Sequence, residues 1–233
     1  MPAAALAVVL ALAEPTPLPE RPAPRGNTVL TRSMSRPIIG VAAAVRMGVD
    51  VGSSSVFLSP PLGFGFGLDL RYHALPIGPM RFGLEFQAGH TRFPTHRGFS
   101  IIDESGATVT EHRWTILAHT DLTLGPSFQA PIGPVFLEFG AAFGLVVSDL
   151  RRPRSPNPEE DQRLVGYSPA VRGDIGFGIP IVRNHGLRLG VNFQKIFSRK
   201  QVVYDLNAPA DAEPDSLAFD MYLDISLAYQ AWF

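Results

Sequence analysis

Residues 62–73 read Leu-Gly-Phe-Gly-Phe-Gly-Leu-Asp-Leu-Arg-Tyr-His. In an extended chain Leu62, Phe64, Phe66, Leu68, Leu70 and Tyr72 fall on one face. Gly63, Gly65, Gly67, Asp69, Arg71 and His73 fall on the other. A helix would scatter both sets around its axis, so the segment is predicted to be a strand with one apolar and one polar face.

The same period of two returns in residues 41–49, 80–89, 113–124, 135–148, 167–179, 187–194 and 217–233. Eight strands are therefore expected, with Phe219 and Met221 on the apolar face of the last. No apolar-phase position in these runs is charged. The opposite face gathers Arg46, Arg71, Arg81, Arg113, Arg172 and Arg188 with Asp69, Glu85, Asp121, Glu138, Asp174, Asp220 and Asp224. Connections alternate as well. Those near 76–79, 125–134 and 180–186 are short and rich in Gly and Pro, whereas those near 50–60, 92–108, 149–164 and 198–216 are longer and more polar. Short and long ends then lie on opposite sides of an up-and-down meander.

Composition narrows the function classes. Among 233 residues the formal net charge is -1, without the basic excess of a nucleic-acid binder. Cysteine is absent, which excludes disulfides, thiolate metal sites and thiol nucleophiles. Residues 3–13 read AAALAVVLALA, too short to span a bilayer as a helix. With its small-x-small ending, the run reads as a signal peptide over 1–13, although no Lys or Arg precedes it; the alternative is a buried N-terminal helix. Residues 14–36 carry five prolines and read as an extended periplasmic segment, leaving 37–233 as the barrel domain.

Alternation alone does not say which face points outward. A soluble, lipocalin-like barrel would turn its apolar face inward. Three features favour the inverse. Acids and arginines on the polar face nearly balance, and only Lys195 and Lys200 are lysines. The apolar face is long enough in most strands to cross hydrocarbon when tilted. The chain given ends in an apolar-phase strand closing on Phe233. In lipid every backbone polar group must be paired, so such a sheet has to close. An even strand number puts both termini on one side, expected to be the periplasm. Tyr72, Tyr229, Trp232 and Phe233 would lie near that rim, and Trp114, Tyr167 and Phe193 towards the other.

These eight amphipathic strands, short and long connections and terminal aromatic residue resemble the eight-stranded outer-membrane barrels of the OmpA/OmpX/OmpW type. The resemblance is to an architecture rather than a motif, and here a proline segment precedes the barrel instead of following it. It implies an all-β, eight-stranded antiparallel transmembrane barrel in a Gram-negative outer membrane. It also implies that Leu223, Ile225, Leu227, Tyr229, Ala231 and Phe233 form the signal read by the barrel-assembly machinery. Outer-membrane lipid and lipopolysaccharide are the expected partners; the surface ligand is not specified.

The thirteen inward charges are expected to form a salt-bridged plug, with a narrow conduit or a catalytic or ligand-binding cluster as alternatives. His119, Asp121 and Glu138 carry groups suited to acid–base work, but a hydrogen-bond network is the simpler account. Lipid deacylases of this size use His-x-Ser, and no histidine here has Ser two positions later; His119-Thr120-Asp121 comes nearest, with Thr120 facing lipid. His90, His96 and His112 match no usual metal spacing. Arg151-Arg152-Pro153-Arg154 reads as contacting lipopolysaccharide phosphates or as a solvated run neutralised by Glu159, Glu160 and Asp161. No catalytic residue, metal or cofactor is expected. A charge at Leu68, Phe139 or Ile225 should harm membrane folding, and Gly65→Ser should be milder.

Overall fold

The computed structural model describes residues 38–52, 58, 61–102, 104–153, 157, 159, 161–182, 184–199, 201–203 and 215–233. The signal-peptide and proline-segment readings lie outside these residues. Eight strands form the wall: β1 (Ile38–Asp50), β2 (Leu62–Ile77), β3 (Met80–Ile102), β4 (Thr108–Ile132), β5 (Val135–Arg152), β6 (Gln162–Val182), β7 (His185–Ile196) and β10 (Met221–Trp232). A separate two-stranded antiparallel sheet pairs β8 (Gln201–Val203) with β9 (Asp215–Leu217).

The wall closes in the order β1-β10-β7-β6-β5-β4-β3-β2, antiparallel at every edge. Closure joins the first and last strands, from Gly40 opposite Trp232 to Asp50 opposite Tyr222. Ile39 and Phe233 complete that seam through two backbone hydrogen bonds of 2.9 and 3.2 Å. No wall strand is left with an unpaired edge, which hydrocarbon demands.

The expected connections shift in detail. Residues 125–134 are not a loop, because β4 runs to Ile132 and the turn is Gly133-Pro134. Gly133 takes a positive φ of 59°, which lets the chain reverse in so few residues. Residues 92–108 are mostly strand too: β3 and β4 pair without interruption from Arg81–Gln129 to Ile102–Thr108, and their hairpin projects beyond the wall. The polar sequence there signals exposure to water, which a long hairpin satisfies as well as a loop.

The interior is polar and the exterior apolar. Arg71 is 2% exposed and Glu138 0%, whereas Phe66 is 65% and Phe143 62% exposed. A water-soluble protein could not keep so continuous an apolar surface. The shortest wall strands, β1, β7 and β10, have 13, 12 and 12 residues. About 9–11 tilted residues suffice to cross a bilayer. No helix among the described residues is long and apolar enough to cross a membrane; the crossing elements are strands. The fold is a transmembrane-type antiparallel up-and-down barrel.

One outward expectation fails. Phe219 precedes β10, in a segment where the alternation has stopped, and it is 1% exposed inside the barrel mouth. Gly65 also differs from expectation. A β-carbon there would run into the backbone carbonyl of His90 and come within 2.8 Å of Thr91 Cα, both on β3. Gly65→Ser is therefore not a mild change.

Candidate functional site

Period-two alternation on all eight strands sends polar side chains into a narrow lumen, where they converge in tiers. The central tier joins β2, β3, β5, β6 and β7. Glu138 Oε2 accepts from Arg71 Nη1 at 2.8 Å and from Arg188 Nε at 2.9 Å. Asp174 Oδ2 accepts from Arg188 Nη2 at 2.8 Å and from Arg71 Nη2 at 3.2 Å, while its Oδ1 accepts from Arg172 at 3.1 Å. Glu85 pairs with Arg71 at 3.2 Å and with Arg172. Asp69 lies 3.8 Å from Arg188. Three guanidiniums thus face three carboxylates at the centre, with Asp69 at the edge. In so dry a space, removing one partner would strand a charge.

Towards the termini, Gln129 and Gln230 donate to Glu138 Oε1 at 3.1 and 3.5 Å. His73 Nε2 and Ser127 Oγ lie 2.7 Å apart, and Arg81 is buried at the same end. Towards the long connections, Arg46 Nη1 donates to Asp121 Oδ1 at 3.0 Å, and Asn192 donates to Asp224 at 2.6 Å. The Tyr222 hydroxyl lies 2.7 Å from Gln194 Oε1 and 3.1 Å from Asp121 Oδ1, two acceptors for one proton.

Above this tier sits an apolar cap of Leu58, Phe93, Leu117, Leu150, Ile196 and Phe219, with Tyr222 beneath. The His119 ring stacks on Tyr222 at 5.2 Å and meets Phe93 edge-on at 5.6 Å. The sequence reading did not anticipate this cap. Its signal was present in part: Phe93, Leu117 and Leu150 are apolar residues in the inward phase of their strands.

Two of the thirteen residues expected in the lumen lie elsewhere. Arg113 is on the part of β4 that projects past the wall and pairs with Asp161 at 2.8 Å. Asp220 is half-buried before β10 and pairs with Lys195 at 3.2 Å. Phase predicts the face of a residue but not its height along the axis. Asp161, expected to neutralise the run at 151–154, thus pairs with Arg113 on the projecting part of β4. Within that run Arg151 is exposed and Arg152 buried.

The acid–base grouping of Asp121 with Glu138 does not form. Asp121 stands opposite Val146 and Glu138 opposite Gln129, so they occupy different tiers. His119 instead meets a serine that its local sequence could not reveal. Ser148 is its cross-strand neighbour, with Oγ 2.9 Å from His119 Nδ1. His119 is 1% exposed and Ser148 0%, beneath the aromatic cap. Thr120 faces outward and bonds His90 Nδ1 at 2.8 Å. His96 and His112 approach with ring centroids 6.2 Å apart. Among the described residues no group of three His, Asp or Glu side chains is placed to hold a metal. On the outer wall Leu223, Ile225, Leu227, Tyr229 and Phe233 are exposed, and the Tyr229 hydroxyl meets His185 Nδ1 at 2.8 Å.

Fold and interior together define an inside-out barrel of the membrane-spanning kind. No protein-family description matches the chain, and no curated protein does. Among solved structures it is similar to Neisserial surface protein A, at 12% identity over 84% of this chain and 97% of that one, with a TM-score of 0.45. It is also similar to Ail, the attachment invasion locus protein of Yersinia pestis, at 15% identity over 84% and 97%, with a TM-score of 0.46. A third is the outer membrane protease OmpT from Escherichia coli, at 10% identity over 85% and 97%, with a TM-score of 0.43. The fold assignment rests on the strand pairing above, not on these likenesses.

Proposed function

We propose that the chain is a non-enzymatic integral protein of a Gram-negative outer membrane, with a lumen closed to ions. The observation that carries this reading is the neutral set of Arg71, Arg172 and Arg188 against Glu85, Glu138 and Asp174, spanning the interior beneath an aromatic cap. Such a set rigidifies a barrel and leaves an ion no unpaired charge to follow. The apolar wall is the anchor, both termini face the periplasm, and the four longer connections face outward for structural or surface-interaction roles. The exposed phase of β10, ending at Phe233, is the segment read by the barrel-assembly machinery.

Reconstitution in planar bilayers tests the closed lumen. Pure protein should give no steady single-channel steps, and neutralising Arg71 and Glu85 together should introduce them. Steady steps from the unaltered protein would instead make it a narrow channel for ions or small hydrophobic molecules. A lipid-modifying enzyme is the third reading, and the contact between His119 and Ser148 is the observation behind it. Lipid hydrolysis abolished by His119→Ala would establish that reading; the burial of both groups speaks against it.

A further inference from the structure

The outer wall carries a charged recess at the end near the long connections. A cavity of about 150 Å³ is lined by His90 and Arg92 of β3, Ile116 and Ala118 of β4, and Asp149 and Arg151 of β5. Strand register places these groups in successive rungs. Pro94, Ile116, Arg151 and Arg163 share one; Arg92, Ala118, Asp149 and Val165 share the next; His90, Thr120, Val147 and Tyr167 share the third. The following rung is Ala88, Leu122, Leu145 and Pro169, where the apolar wall begins.

Charge in the recess is unbalanced. Arg163 takes both oxygens of Asp149, at 3.0 and 2.7 Å. Arg92 and Arg151 are exposed and make no direct ion pair among the described residues; they act on the Asp149 carboxylate only at longer range, behind its bidentate pair with Arg163. They flank β4 from either side in successive rungs, so their backbones are about 12 Å apart, with Ile116 and Ala118 as the floor between them. Two arginine forks converging over a shallow floor suit a phosphate, whose oxygens accept from both.

We infer that Arg92 and Arg151 bind the phosphate of a lipid headgroup in the outer leaflet. A lipid rather than a soluble anion is indicated by where the recess opens. It lies on the outside of the barrel, and the apolar rung at Leu122 and Leu145 begins about 13 Å along the strands from Arg92 and about 20 Å from Arg151. A phosphate held at the arginines lays its acyl chains against that rung, below Tyr167, which is 72% exposed at the interface.

This inference rests on the membrane placement proposed above. Its test uses the full chain folded in detergent micelles, with lipid retention read by native mass spectrometry. The probes are lipid A, dephosphorylated lipid A and inorganic phosphate. Expected is preferential retention of lipid A, reduced about 30-fold in R92Q/R151Q. It should be unchanged in K195Q, a control on β7 that removes one positive charge away from the recess, and undisturbed by inorganic phosphate. Equal retention by R92Q/R151Q, or of dephosphorylated lipid A, would overturn the site. Displacement by inorganic phosphate would overturn its assignment to a lipid. Heat-dependent gel mobility reports folding of each variant. A barrel that never enters bilayers sinks the membrane placement, whereas an inserted barrel indifferent to Arg92 and Arg151 sinks only this site.

Discussion

Glu138 Oε2 on β5 receives Arg71 Nη1 from β2 at 2.8 Å, so two strands that share no edge meet through the middle of the barrel. The pair spans 67 residues of sequence and has no solvent to replace either partner.

Glu138→Ala should therefore destabilise the folded barrel by about 3–5 kcal/mol, because Arg71 and Arg188 each lose one of their carboxylate acceptors and the buried cluster is left with excess positive charge. Urea titration of the protein in lipid vesicles, followed by tryptophan fluorescence, measures it. Pairing Glu138→Ala with Arg71→Met should cost less than the sum of the single changes. Strict additivity would mean the two side chains are not coupled.

The wall gives a depth-dependent prediction. Leu68→Arg, in mid-strand on the exposed face, should cost about 2–4 kcal/mol, whereas Ile39→Arg beside the terminal seam should cost about 0–1 kcal/mol. The same vesicle titration decides it; equal costs would contradict the assignment of the apolar face to lipid.

Arg46 lies over two glycines. A β-carbon on Gly67 would come within 2.6 Å of its guanidinium, and one on Gly89 would strike it as well. Gly89→Val should push Arg46 off Asp121 and cost about 1–3 kcal/mol. The cost should shrink sharply in an Arg46→Ala background, a double-mutant cycle read by the same unfolding curve. An unchanged cost would place the clash elsewhere.

Phe93→Ala should remove about 3–5 kcal/mol of stability, because Phe93 is fully buried in the cap. It should not open the lumen, since the ionic tier lies beneath it. Bilayer recordings that show steps in Phe93→Ala would shift the seal from the ionic tier to the cap.

Deleting Phe233 removes two backbone hydrogen bonds at the β1–β10 seam. Spontaneous folding into vesicles should weaken only modestly, by about 1–3 kcal/mol for the two bonds. Assembly in cells should fall far more if β10 is the recognised segment. Equal losses in the two assays would reduce Phe233 to a structural role.

The sequence by itself determined the number of wall strands and the face of nearly every wall residue, but not the separate β8–β9 pair. Side chains along a regular strand alternate, and the pairing slips only near the rim, at His73/Leu75 and Pro180/Val182, so Arg71 and Leu70 had to part. The same alternation could not say where a strand stops. Phe219 turns inward because the regular strand begins only at Met221, and Arg113 misses the lumen because β4 outruns the wall. Tertiary structure alone decided which inward groups meet. Closure brings β2, β5 and β7 to one axis, and the register fixes heights that no local pattern encodes. His119 beside Ser148, and Arg92 across β4 from Arg151, are neighbours only because antiparallel strands were laid edge to edge.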